Sequence, residues 1–246
     1  MKSTTLIFLH YFGGSKESWN WTIANLSDDF NCVGLNLPGF GGLAFLDNPS
    51  LAGMADYVTE RIQALNSGPC VLIGHSMGGK IAVQVAIQNA ENDLISQLIL
   101  VAPSPPSIEK MPDDQKELLS GDQSDFQAIK NVDGAIVKSL TKAQQELAVK
   151  TQMEIEVAAR KWWMDAGTME SVATESQNLE IPITLIVSKT DPAITYEMTT
   201  TETIPNLPKH TNLVVTADFG HLIPLEDPTW LAETIRGVIS VLLRLK

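Results

Sequence analysis

Six short runs rich in valine, isoleucine and leucine punctuate the chain at residues 4–10, 31–37, 69–74, 95–102, 182–188 and 212–217, each bounded by turn-forming residues. Runs this continuously apolar suit strands covered on both faces, the mark of a parallel sheet. Helical patterns lie between most of them. Residues 19–26 repeat their apolar positions near the helical period, and Leu51, Met54, Ala55, Val58, Ile62 and Leu65 share one face of a helix. Residues 80–87 form a small-residue pattern suited to close packing on a sheet, and residues 230–245 align Leu231, Ile235, Val238 and Ile239. Strand alternating with helix predicts an α/β, doubly wound, mainly parallel sheet.

The alternation stops after Ala102. Residues 103–181 carry a Pro-rich exit (Pro103, Pro105, Pro106), an acidic stretch as far as Asp125, and helical patterns at 126–140 and 143–165. Roughly eighty residues exceed an ordinary crossover, so this segment is expected as a helical cap, inserted over the carboxyl ends of the strands where open α/β sheets bind ligands. The expected division is a core of residues 1–102 and 182–246 with a cap of 103–181, in one structural unit.

Composition narrows the function. The 246 residues fit one domain, and 29 Asp+Glu against 17 Lys+Arg give a net charge of −12. Such a surface argues against nucleic acid or an anionic membrane as partner, since both need basic residues. Cys32 and Cys70 begin apolar runs and read as small buried hydrophobes rather than a disulfide. No CxxC or HExxH spacing offers a metal site, and neither metal nor organic cofactor is expected. The apolar stretch before His10 is too short for a signal peptide, and no run approaches about 18 apolar residues. A soluble, cytoplasmic protein is the expectation, monomeric or homodimeric.

The sharpest local pattern is Gly74-His75-Ser76-Met77-Gly78-Gly79, directly between an apolar run and a helical one. In that context a G-x-S-x-G forms a nucleophile elbow: a tight turn exposes the serine hydroxyl, and the glycines leave room for neighbouring backbone. The following helix aims its positive end at a developing oxyanion. Serine is a weak nucleophile and needs a base, which in turn needs an orienting acid. Of the four histidines, His10 ends the first run, His75 adjoins the serine and His210 sits in a polar turn, whereas His221 follows the last run in a loop opening at the elbow's edge. Its alternative reading is a loop histidine bonded to local backbone. For the acid, Asp191 follows the fifth run, with Asp218, Glu226 and Asp227 as competitors that read better as turn or helix-start residues.

The order Ser76, Asp191, His221 resembles that of the α/β-hydrolase superfamily. So do His10-Tyr11-Phe12-Gly13-Gly14-Ser15 with Trp19, similar to the family's oxyanion loop, and Asn36-Leu37-Pro38-Gly39-Phe40-Gly41, similar to its Asp-x-Pro-Gly-x-Gly turn. The resemblance implies an oxyanion hole from the backbone amides of Phe12 and Met77. It also implies a sheet with the second run at one edge, then the first, third, fourth, fifth and sixth. The family's opening antiparallel hairpin has no residues to form it here, so six strands are expected. Two residues depart from the pattern: Tyr11 stands where glycine is usual, able to reach into the pocket or pack beneath it, and Asn36 replaces aspartate, altering a turn hydrogen bond.

Caps set substrate choice in this superfamily, which makes Phe126, Trp162 and Trp163 candidate substrate-binding residues, with packing onto the core as the alternative for each; Tyr11 on the oxyanion loop and Leu222 beside His221 are further candidates. The expected activity is a serine esterase acting on a small, largely apolar ester through an acyl-enzyme. The same triad also serves lactone or amide hydrolysis, C–C cleavage and hydroxynitrile lyase chemistry, or sits in a slow ligand receptor. Residues 103–181 hold 14 acids and 8 bases, which disfavours anionic substrates at the cap.

Overall fold

The computed structural model describes residues 4–121 and 124–244. Its strands are β1 (Thr5–Leu9), β2 (Asn31–Leu35), β3 (Cys70–His75), β4 (Ile95–Val101), β5 (Ile183–Ser188) and β6 (Asn212–Thr216). Every neighbouring pair is parallel and the order is β2-β1-β3-β4-β5-β6, the six-stranded sheet the sequence predicts.

Alternation along the strands divides the core in two. Ile7, Leu9, Leu72, Leu98, Leu100 and Leu185 enter one cluster, while Leu6, Phe8, Ile73, Ile99, Val101 and Ile186 enter the other. The first cluster is covered by α2 (Leu51–Leu65) and α3 (Met77–Gln88) through Met54, Val58, Ile62, Ile81 and Val85. The second is covered by α1 (Asn20–Leu26) and the chain's final helix through Leu26, Leu231, Ile235 and Ile239. The four inner strands are buried almost throughout, whereas β2 and β6, having one neighbour each, are partly exposed. Ser50 caps α2 by accepting from Gly53 N at 2.9 Å, and Asn66 closes it in the left-handed region at φ 54°.

Helices α4 (Asp113–Ser120), α5 (Asp125–Ala135), α6 (Lys142–Met153), α7 (Val157–Trp162) and α8 (Ala173–Ser176) lie between β4 and β5. Short turns follow β5 from α9 (Tyr196–Met198) onward, and α10 (Ile223–Glu226) and α11 (Pro228–Arg244) close the chain.

Two helical expectations need correction. The pattern at 143–165 is two helices, because at 154–156 the chain docks on the turn after β2: Glu156 N donates to Gly39 O at 2.9 Å and Ile155 is buried in the core. The pattern at 126–140 ends at Ala135, where Ala135 O accepts from His221 N at 2.7 Å. The acidic stretch also contains α4, whose periodicity its charges obscure.

Candidate active site

The order in which strands are laid down reverses between β1 and β3: β2 lies to one side of β1, and β3 returns to the other. Loops leaving the two strands therefore diverge and leave a crevice, the usual ligand position in open α/β sheets. The loop after β1 carries Tyr11 and Phe12, and the turn after β3 carries Ser76.

Ser76 sits at φ 53°, ψ −120°, a strained conformation for a residue with a side chain. Its neighbours explain why the turn holds. A Cβ on Gly74 would meet Gly78 O at 2.3 Å, and one on Gly78 would meet His10 O at 2.5 Å, so the elbow closes only with glycine at both positions. Ser76 N donates to Val101 O at 3.0 Å, tying the turn to the end of β4. Met77 begins α3 at once, and a helix's first N–H groups lack intrahelical acceptors.

His221 Nδ1 lies 2.8 Å from Asp191 Oδ2, with both side chains nearly inaccessible. Asp191 is itself fixed: its Oδ1 accepts from Ala193 N at 2.8 Å and Ile194 N at 2.9 Å. With Nδ1–H donating to the carboxylate, Nε2 is left as the basic nitrogen. Burial alone would push the imidazolium pKa down. The charge and hydrogen bond of Asp191, helped by Glu109 and Glu226, outweigh burial and raise it above the ordinary histidine value.

The two other buried histidines behave in the opposite way. His75 Nε2 donates to His221 O at 2.8 Å and its ring lies 5.1 Å from that of His221. Burial and the neighbouring His221 hold its pKa far below the usual range. His10 donates from Nδ1 to Tyr11 O at 2.8 Å and accepts from Leu37 N at Nε2, at 3.1 Å. Burial lowers it to about 4, so it stays neutral. Gly14 N also donates to Tyr11 O, at 3.0 Å. In a trans peptide the N–H points opposite to the C=O, so two donors on Tyr11 O turn the Phe12 N–H the other way.

Ser76, His221, Phe12, Tyr11, Trp163 and Leu222 line a single cavity of about 490 Å³. Of the residues singled out for substrate contact, Tyr11, Trp163 and Leu222 therefore reach it, and two do not. Trp162 packs between Phe45 and Trp163, with ring centres 5.8 Å from each; successive helical residues point about 100° apart, so only one of the tryptophan pair faces the cavity. Phe126 is 76% exposed, off the Ala128 and Val132 face that buries α5.

Both departures from the family pattern have a structural account. The Tyr11 ring lies over Gly14, where a Cβ would come within 2.7 Å of it, and stacks 5.1 Å from His75. Tyr11 thus supports the loop as well as lining the cavity. Asn36 Oδ1 accepts from Lys16 N at 2.7 Å while its Nδ2 donates to Gly41 O at 3.0 Å. A carboxylate could not make the second bond.

Several groups around this site have parts that sequence reasoning did not assign, among them Glu226, which reads from sequence as a turn or helix-start residue. Glu226 Oε2 accepts from Gly220 N, Val137 N and Lys138 N at 2.7–2.9 Å, clamping the His221 loop to the segment after α5. Lys80, fully buried on α3, donates to Ser107 O and Thr168 O, which ties the insertion to the helix behind the elbow. Glu109 lines the cavity. No periodicity marks such residues, because their partners lie far away in sequence. Cys70 is buried as a small hydrophobe would be, whereas Cys32, on the edge strand β2, is only partly so. Among the described residues no cluster of histidine, cysteine and carboxylate side chains could hold a metal, and no helix is long and apolar enough to cross a membrane.

Residues 4–176 match a family described as alpha/beta hydrolase fold. A (E)-2-((N-methylformamido)methylene)succinate hydrolase from Acinetobacter baylyi is 24% identical over 91% of this chain and 85% of its own length. A pimeloyl-[acyl-carrier protein] methyl ester esterase from Aeromonas hydrophila is 33% identical over 41% of this chain and 38% of its own. Two other curated relatives, from Haemophilus influenzae and Cupriavidus necator, are matched over only 34% and 26% of their length. An esterase structure from Exiguobacterium antarcticum superposes with a TM-score of 0.87 at 18% identity, covering 96% of this chain and 92% of that one.

Proposed function

The chain belongs to the alpha/beta hydrolase fold family, and from that premise we propose that it is a serine hydrolase cleaving small, largely apolar carboxylic esters through an acyl-enzyme. The observation that carries this reading is the buried 2.8 Å contact from His221 Nδ1 to Asp191, opening onto the cavity that Ser76 lines from a strained elbow.

In this reading Ser76 Oγ attacks the ester carbonyl carbon while His221 Nε2 takes its proton. Asp191 holds the ring and stabilises the imidazolium. The developing oxyanion accepts from the amides of Phe12 and Met77, an interaction worth about 3 kcal/mol per donor in comparable sites. Collapse breaks the ester C–O bond and His221 protonates the departing alcohol. A water, deprotonated by the same nitrogen, then releases the acid and restores Ser76.

The wall built by Tyr11, Phe12, Trp163, Met164, Ile194 and Leu222 favours an apolar acyl or alcohol group. Seven tenths of the chain fits the family, and esterases are among the relatives. A fluorophosphonate should label wild-type protein at Ser76. Ser76→Ala should lose labelling and lower kcat on p-nitrophenyl butyrate by about 10⁶-fold with an unchanged melting profile. Undiminished turnover in the variant would overturn the reading, and a matched panel of lactones and anilides would test the choice of ester.

A further inference from the structure

Glu109 lines the cavity, and beyond its charge helping to raise the His221 pKa it takes no part in the hydrolytic steps. It is only 4% exposed, and its Oε2 has no hydrogen-bond partner. Leaving a buried polar atom unpaired costs about 1–3 kcal/mol, so an unpaired carboxyl oxygen on a residue of the cavity wall is a candidate to meet a ligand group. Its position is well fixed, since Glu109 N donates to Thr168 O at 2.9 Å, and Thr168 O is also held by Lys80 Nζ at 3.3 Å. The cavity surface nearby is apolar, with Met111, Leu119, Trp163 and Met164. The Ser104 hydroxyl hydrogen-bonds the carboxyl, and a purely hydrocarbon substrate would fill that space and leave Oε2 unpaired.

We infer that Glu109 is a specificity-determining residue that hydrogen-bonds a hydroxyl group on the substrate, set apart from the scissile carbonyl on a short apolar chain. The proposal rests on the esterase reading for its reaction and on the cavity alone for its binding. The chemistry selects a hydroxyl over other groups. Burial holds the Glu109 carboxyl above its ordinary range, while Ser104, Lys80, His221 and Lys116 pull toward the ionised form. A hydroxyl pairs with either state, donating to a carboxylate or accepting from a carboxylic acid. A substrate carboxylate would face like charge from the ionised form. An ammonium would lose its ion pair whenever Glu109 is protonated.

Two measurements test this separately from the catalytic reading. The first is calorimetric titration with uncleavable ligands, 2-hexanone and 6-hydroxy-2-hexanone, into wild type, Glu109→Leu and Glu109→Gln. The hydroxy ketone should bind wild type about tenfold more tightly than its parent. Glu109→Leu should abolish that preference, and Glu109→Gln, which keeps donor and acceptor atoms, should retain most of it. The second compares kcat/KM for p-nitrophenyl hexanoate and 6-hydroxyhexanoate, with the same expected ratios. Equal affinities for the two ketones in wild type would overturn the assignment without any variant having to fold. A preference for 6-amino-2-hexanone over the hydroxy ketone would overturn the choice of hydroxyl. If the hydroxy ketone is preferred but neither ester is cleaved, the role of Glu109 stands and the esterase reading fails.

Discussion

The floor of the site and its roof are built on opposite plans. The floor is the ends of β1 and β3, where the chain is forced into shape by near neighbours: Gly74 against Gly78, Gly78 against His10 and Leu9, Tyr11 over Gly14. Its geometry is steric and tolerates no extra atom. The roof, the helical segment between β4 and β5 that supplies residues from Glu109 to Met164 to the cavity wall, is tethered by hydrogen bonds between residues distant in sequence: Thr151 Oγ1 to Gly13 O, Glu156 N to Gly39 O, and Val137 N and Lys138 N to Glu226. A steric floor fixes the reacting atoms, and a tethered roof adjusts what is presented to them.

The largest expected effect separates chemistry from both. Asp191→Asn should lower kcat by about 10⁴-fold with little change in folding, because His221 loses its tautomer control. The pH profile checks the cause. His221 must be neutral to accept the serine proton, so kcat/KM falls as pH drops through its pKa. That pKa is raised, so the limb of the wild-type profile should lie above pH 6.5. In Asp191→Asn the charge is gone while burial remains, which moves the limb to lower pH. A limb that stayed in place would mean another group carries the titration.

Next comes the floor. Gly78→Ala places a Cβ 2.5 Å from His10 O and 2.7 Å from Leu9 O, both backbone atoms that cannot step aside. Chemical denaturation should show a loss of about 3 kcal/mol, the upper range for overpacking. Removing a roof tether should cost less: Glu226→Ala strips an acceptor from three backbone N–H groups, for about 2 kcal/mol, and should lower kcat as the His221 loop loosens. The smallest effect has the opposite sign. Gly134, on α5 in the roof, has nothing within 4 Å of a Cβ, so Gly134→Ala should stabilise by about 0.5 kcal/mol. If alanine at 134 and at 78 proved equally damaging, the distinction between steric floor and tethered roof would collapse.

The same distinction explains what could be read from sequence. Ser76 and the strand preceding it were legible because the elbow's needs are met within a few residues, and each glycine requirement is written beside the serine. The six strands were legible because each is a short apolar run bounded by turn residues, although only the four inner ones are buried on both faces. His221 and Asp191 could be selected by their place after strands, since the sheet brings those loop ends to one edge. The roof was read poorly. The helix at 143–165 proved to be two because its break depends on Gly39, more than a hundred residues upstream. Phe126 and Trp162 were reasonable pocket candidates by residue type, but which face of a helix meets a cavity is decided by packing. Glu109 and Lys80 resemble ordinary surface charges in sequence and Glu226 a helix-start residue, and only the fold shows them buried.

Ala135 closes α5 by accepting from the amide of His221 itself. His221 is therefore held from two directions: Asp191 and His75 tie it to the strand ends, and Ala135 ties its amide to the end of α5. A substitution that shifts this end of α5 is therefore expected to disturb the position of the imidazole while leaving the sheet intact.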